Sequence, residues 1–312
     1  MKVLIIGLSN LGDAFLTYPA IHAVWAAYPE AQFHLLASSR TRELFETDPR
    51  VNRVWIWKKQ AWFPAQIFLI ARLAFERYDL VVDFRNSLIP LFLLGAKRAP
   101  IFQGSPPAGE HRSQTHLNQV AALGISPSAG GHRLLFGSKE EKEVQEWLEP
   151  GHRLVVMVPG ARSHLKRWSA PGFARVADRL VAEQNAQVIL VGETAERPIA
   201  EEVRAHMRQP ATDRVGQTTL FQLAALLARA SLSVTNDSAC LHAAELMGVP
   251  SVAIFGPTDE KKYGPQNPRS VVVRRSLVCA PCERALCPYG HECMNWIEAE
   301  EVYAAAVRIL NA

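Results

Sequence analysis

The N-terminal run KVLIIGLSNLGDAFLTYPAIHAVWAAYPEAQFHLLA (residues 2–37) decides the fold. Its opening KVLIIG (2–7) is a short apolar strand, and AQFHLLA (31–37) is a second. Between them, FLTYPAIHAVWAAYP (15–29) carries apolar residues at helical spacing. Strands joined through a helix pair in parallel, and the sheet they build is covered on both faces. The alternation continues with strands at NRVWIW (52–57) and YDLVVDF (78–84), so the first half reads as one doubly wound sheet.

A second series starts at RLVVMVPG (153–160) and continues through AQVILVGE (186–193), ASLSVTND (230–237) and PSVAIFGPTD (250–259). Each strand ends in small or polar residues, and in open α/β sheets ligands collect at the carboxyl ends of the strands. The two series are separated by a loop-like region rich in Gly, Pro, Ser and His, from Gly104 to Gly131. A polar helix, SKEEKEVQEWL (138–148), follows and stops at Pro150-Gly151, where the boundary is expected. The expectation is an α/β chain of two Rossmann-like, doubly wound domains, 1–150 and 151–312, facing each other across a cleft. EAEEVYAAAVRIL (298–310) reads as a C-terminal amphipathic helix with the option of packing back on the first domain.

The 312 residues are 48% hydrophobic and 21% charged with a net charge of +4, the profile of a soluble globular protein. Residues 1–137 hold 14 Lys/Arg against 9 Asp/Glu and five of the ten histidines, which favours an anionic partner for the first half. The overall charge is too mild to argue for nucleic acid. MKVLIIGL reaches Ser9, Asn10 and Asp13 too soon for a secretory signal. AWFPAQIFLIARLAF (61–75) is too short to span a bilayer and reads as a buried helix ahead of a membrane-surface one. A cytoplasmic protein, with peripheral contact at the inner membrane as an option, is expected.

Four strand-end motifs carry the chemistry of the second half. In PGARSHLKRWS (159–169), a glycine-bearing loop precedes Lys166 and Arg167, two cations suited to a diphosphate. Trp168 is expected in the core rather than as a stacking platform. In VGETAER (191–197), Glu193 stands past a strand and before a helix, where it either accepts from ribose hydroxyls or serves the helix dipole. TNDSACLHAAELMGVP (235–250) crowds Asn236, Asp237 and Ser238 at a helix start, with His242 one turn on and Gly248 at its end. In FGPTD (255–259), Gly256 allows close backbone approach to a ligand and Thr258 adds a hydroxyl.

Together with GLSNLGDAFLTYPAIHAV (7–24), these stretches resemble glycosyltransferase family 9, the bacterial heptosyltransferases of the lipopolysaccharide inner core, over nearly the whole chain. The resemblance implies a GT-B fold and an inverting, metal-independent transfer of heptose from ADP-heptose to an anionic glycolipid acceptor. It implies that Lys166, with Arg167 beside it, neutralises the diphosphate, that Glu193 meets the ribose, and that Asp237 holds sugar hydroxyls or the phosphate end. Ser238, His242, Gly256, Pro257 and Thr258 would complete the donor pocket. The basic first half would receive the acceptor, with Gly12, Arg85, Lys97, Arg98, His111, Arg112 and His116 as candidate contacts.

Asp13, in the first loop, is the candidate general base. Inversion needs one carboxylate to take the acceptor hydroxyl's proton while the sugar carbon is attacked from the far face. A helix start also favours a negative charge there.

Cys279, Cys282, Cys287 and Cys293 give C-x2-C-x4-C-x5-C, four of the five cysteines within 15 residues. The spacing fits a structural metal knuckle, zinc or iron, with His291 as a spare ligand; free thiols and disulfides are the other readings. No cofactor is expected in catalysis itself. Alternatives in function are a GT-B transferase using another nucleotide sugar, and a noncatalytic nucleotide-binding scaffold. A dinucleotide oxidoreductase is disfavoured, because the first loop is G-x-x-x-x-G-D rather than G-x-G-x-x-G.

Overall fold

The computed structural model describes residues 1–58, 62–93, 95–98, 107–126 and 133–312, with Phe63 by its backbone alone. The chain divides into two compact units, Met1–His132 and Arg133–Ala312.

In the first unit, β1 (Lys2–Ile6), β2 (Gln32–Ala37), β3 (Val51–Ile56), β4 (Leu80–Asp83) and β5 (Lys97–Arg98) form one sheet in the order β3-β2-β1-β4-β5. Every pair is parallel. The helices are α1 (Leu11–Ala27), α2 (Glu43–Glu46), α3 (Phe63–Phe75) and α4 (Arg112–Ala121), with a 3-10 turn at Ile89–Phe92. Central β1 buries Val3 to Ile6 completely, as a parallel strand covered on both faces must. The strand order reverses between β1 and β4, so the loops after these two strands open the natural crevice for a ligand.

The second unit begins with α5 (Ser138–Gln145). It continues through β6 (Arg153–Val158), α6 (Ala170–Gln184), β7 (Ala186–Leu190), α7 (Arg197–His206), β8 (Thr212–Asp213), α8 (Leu220–Arg229), β9 (Leu232–Asn236) and α9 (Ala239–Leu246). It ends with β10 (Ser251–Phe255), α10 (Glu260–Tyr263), β11 (Val271–Arg274), α11 (Glu292–Asn295) and α12 (Ala299–Leu310). The sheet runs β11-β10-β9-β6-β7-β8, all parallel, and its order reverses between β6 and β9. Both halves are therefore the Rossmann-like units the strand series implied.

Two expectations change. The boundary falls at 132/133 instead of 150/151, because α5 packs on α8 and is tied to it by Gln222–Glu143 and Arg229–Glu141 contacts. Helix α12 lies on α6 and on β9 to β11 of its own unit. Its apolar stripe, Val302, Ala305, Ala306 and Ile309, is buried within the second unit.

The second change concerns the loop-like stretch 104–131, of which 104–106 and 127–131 lie outside the described residues. Its middle is helix α4, packed on α1. The face that α4 buries is largely polar, with Ser113, His116 and Gln119 inside and Ser113 Oγ donating to the Leu16 carbonyl at 3.1 Å. A polar buried face leaves no apolar period to read.

Candidate active site

At the reversal point of the second sheet, the loops after β6 and β9 are joined side chain to backbone. Asn236, fully buried at the end of β9, donates through Nδ2 to the Pro159 carbonyl at 2.8 Å and accepts at Oδ1 from the Trp168 N–H at 3.0 Å. This clamp sets the path of the 159–168 loop and delivers Lys166. Lys166 Nζ stands 2.6 Å from Asp237 Oδ2, with the lysine one-third exposed and the aspartate 6% exposed. The pair places one cation with an open flank beside one anchored carboxylate, which is what a diphosphate-bearing ligand needs for charge neutralisation and orientation.

The surrounding hydroxyls follow the same strand ends. Ser238 is the N-cap residue of α9, and its Oγ lies 3.1 Å from Thr235 Oγ1. Thr258 and His242 are both buried, at the ends of β10 and within α9. Trp168 sits in the core as expected. Its Nε1 donates to the Ile297 carbonyl at 3.0 Å and its ring meets Phe173 edge-on at 5.1 Å.

Two glycine-rich turns rest on a residue the sequence reading passed over. Glu196 accepts from the Glu193 N–H at 2.8 Å, and a side chain on Gly160 or Gly192 would strike its carboxylate. Burial pushes the Glu196 carboxyl above its usual range, and nearby Glu193 adds to this, against the Glu193 N–H bond and Arg167. Glu193 itself is exposed at the start of the turn, free of the core. Arg167 donates through Nε to the Ala161 carbonyl at 2.7 Å, so part of its role is to brace the loop. Glu196 gives no sequence signal because it lies in the turn beyond the strand end; the paired glycines Gly160 and Gly192 are its trace.

Gly256 also has a packing reason to be glycine. A Cβ there would lie 2.4 Å from Met294 Sδ and 3.2 Å from Cys293 Sγ. The cysteine segment fills that space, so only glycine fits there. That segment is hung on Pro257, whose carbonyl accepts from the N–H groups of Cys282 and Glu283 at 2.9 and 2.8 Å. His291 Nε2 lies 2.5 Å from the Leu165 carbonyl, beside Lys166. Cys279, Cys282, Cys287 and Cys293 line one small cavity with His291. Their number and softness suit a tetrahedral metal, yet among the described residues no three of these groups stand together as a ligand set. Burial pushes the Cys293 thiol up to about 11, with the other three cysteines adding to it.

At the reversal point of the first sheet, Asp13 lies in the first turn of α1, after Gly12, and accepts from Asn10 Nδ2 at 2.9 Å. His116 on α4 interacts electrostatically with both Asp13 and Arg112. Burial lowers its imidazole below the usual range; the Gln119 bond and Asp13 oppose that shift. The His116 ring meets Phe84 edge-on at 5.5 Å, at the end of β4. Arg85, next in the chain, bonds Ser9 in the first loop. Gly12, Asp13, Arg85, Arg112 and His116 are thus gathered around the β1 and β4 ends. Arg98 is placed apart from them, on edge strand β5 with its guanidinium on the Pro90 carbonyl. Lys97 donates to the Leu123 carbonyl at 2.9 Å, and His111 caps α4 by accepting from the Ser113 N–H.

Comparison with known proteins adds an independent line. Residues 115–292 match the profile of "Glycosyltransferase family 9 (heptosyltransferase)". Lipooligosaccharide heptosyltransferase 2 of Campylobacter jejuni is 29% identical over 97% of this chain and 97% of its own. Lipopolysaccharide heptosyltransferase 3 of Escherichia coli K12 is 25% identical, covering 96% and 95% of the two chains. The solved structure of E. coli ADP-heptose lps heptosyltransferase II superposes with a TM-score of 0.80 at 22% identity, over 100% of this chain and 99% of that one, which fixes the fold as GT-B. The profile spans more than half of the sequence and every candidate donor-side residue from Lys166 to Thr258, and the chain belongs to glycosyltransferase family 9, the heptosyltransferase family.

Proposed function

We propose that the protein transfers heptose from ADP-heptose to an anionic inner-core acceptor of lipopolysaccharide, with inversion and without a catalytic metal. The observation that carries this reading is the Lys166–Asp237 pair at the reversal point of the second sheet. Lys166 takes up negative charge on the departing diphosphate, while Asp237 orients the sugar or the phosphate end. Ser238, Thr258 and backbone N–H groups complete the cradle, and Glu193 serves the ribose.

Asp13 is assigned as the base. The acceptor oxygen attacks the anomeric carbon as its proton passes to the Asp13 carboxylate, and the bond from that carbon to the diphosphate oxygen breaks to release ADP. Arg85, Arg112 and His116, held around the same strand ends, meet the acceptor's anionic groups. The acceptor is membrane-borne, so the enzyme works at the inner membrane surface.

Thermal shifts with ADP-, UDP- and GDP-sugars, followed by transfer to defined core acceptors read by mass spectrometry, test the reading. Stabilisation by ADP-heptose and gain of one heptosyl unit are expected. Preference for a UDP- or GDP-sugar, or binding without transfer, overturns it in favour of another donor or a scaffold.

The cysteine segment is proposed to hold one structural zinc or iron ion, which requires its four thiolates to draw closer together than they stand here and would leave no open position for chemistry. Metal analysis of protein purified under reducing conditions should give about one equivalent per chain. Substoichiometric metal in folded protein contradicts it.

A further inference from the structure

Helix α3 turns the wrong kind of surface to solvent. Leu69, Ile70 and Leu73 face the first unit's core, as the inner stripe of an amphipathic helix should. The outer stripe should then be charged. Instead, Phe68 is 65% exposed, Phe75 87% and Ile67 50%, with Trp62 at the helix start 79% exposed. The stretch read as a buried helix is buried on one face alone. The 3-10 turn Ile89–Phe92, which packs on α3, adds exposed Leu91 and Phe92.

The two stretches of sequence that build this patch carry charge of one sign. No acid occurs from residue 57 to 75 or from residue 84 to 109. Arg72 lies over the Phe68 ring at 5.9 Å, and the Lys58 carbonyl accepts from Gln66 at the start of α3. Arg98 is fixed to Pro90 in the 3-10 turn. Glu76, just past α3, is spent on Lys2 and Arg53. Exposed aromatic and aliphatic side chains rimmed by cations suit an anionic lipid surface, where the rings enter the acyl boundary and the cations meet headgroup phosphates. A second copy of the chain fits less well, because a two-fold contact through this patch would bring the two cationic rims together.

We propose that the outer face of α3 and the Ile89–Phe92 turn form the surface by which this protein docks on an anionic bilayer. The proposal gives a location to the membrane-surface working site in the function proposed above and rests on that reading for its purpose, though its test does not use catalysis.

The full chain is spun with vesicles of phosphatidylcholine and, separately, of phosphatidylcholine with phosphatidylglycerol. Wild type should sediment with the anionic vesicles and stay in solution with the neutral ones. Phe68→Ser/Phe75→Ser should lower the bound fraction by about five-fold or more, and Arg72→Glu by a smaller factor. Phe75→Ser alone, at the most exposed of these positions, keeps the test open if the double variant does not fold.

Wild type that stays in solution with anionic vesicles overturns the proposal. So do variants that bind as well as wild type, or a wild-type dimer in light scattering that the double substitution makes monomeric. Transfer of heptose to a water-soluble core oligosaccharide, run on the same samples, reports on the enzymatic reading separately. Loss of vesicle binding with retained transfer is the result expected of the variants.

Discussion

The two reversal points have the same topology and are held very differently. In the second unit, Asn236 joins two loops through three hydrogen bonds, Lys166 is paired to Asp237, and Glu196 fills the space under two glycines. In the first unit, Asp13 has a side-chain bond from Asn10, three residues away, and Arg85 reaches across to Ser9. In the second site the charged pair itself is braced from several directions by the fold; in the first, Ser38 and Thr41 hold the loop backbone at Ser9 and Leu8, while the Asp13 carboxylate is met from Asn10 within the same loop. On the function proposed above the second site is a donor cradle, which gains from such rigidity.

That contrast can be broken from either side, and the largest effect is expected at Asp13. Asp13→Asn keeps the shape and removes the proton acceptor, so kcat should fall by about 10²–10⁴-fold. The thermal shift given by ADP should stay at its wild-type size. A variant that loses ADP binding as well would place Asp13 with the donor and undo the division of labour.

Lys166→Ala comes next. Loss of one charge-stabilising donor should lower kcat by about 10²–10³-fold and weaken ADP binding at the same time. Unchanged ADP binding in a calorimetric titration would show that the Lys166–Asp237 pair is a structural brace alone.

Gly256→Ala probes the brace directly. Its Cβ would press on Met294, and the overpacking should cost about 1–3 kcal/mol, seen as a melting temperature several degrees lower. A melting curve that does not move would mean the cysteine segment is loosely held on the donor side.

The smallest effect is expected at Glu196. Its carboxyl is raised in the folded chain, so the folded state holds its proton more tightly than the unfolded one. The resulting stability is complete below the unfolded value, near 4.5, and is lost as pH rises through the raised folded value. Stability of wild type relative to Glu196→Gln should therefore decline over that window and level off above it. A difference that does not change with pH would assign Glu196 a packing role without a titration.

Much of this arrangement was legible in the sequence. The eight strands read from apolar runs begin within two residues of where hydrophobic patterning puts them, although the runs overshoot the ends of β7 and β10, and β11, VVVR in sequence, was passed over. Lys166 and Asp237 were picked out from loops that follow apolar strands, and the structure pairs them; Asp13, picked out from the first loop, falls in the first turn of α1. Short edge strands β5 and β8, KR and TD in sequence, carry no apolar run and are made by pairing with β4 and β7. Helix α4 was hidden because it buries polar side chains, and α3 misled because it exposes apolar ones. Both break the link between hydrophobic period and burial on which such reading depends. The role of Gly256 was hidden for another reason: its neighbours Met294 and Cys293 are distant in sequence.

The most direct test of the account is the anomeric configuration of the product made by wild-type protein from ADP-heptose and a phosphorylated inner-core acceptor, read by NMR. Single displacement with Asp13 taking the acceptor's proton predicts one heptosyl unit added with its anomeric centre inverted. A product with retained configuration, or ADP released by hydrolysis with no glycoside formed, would contradict it.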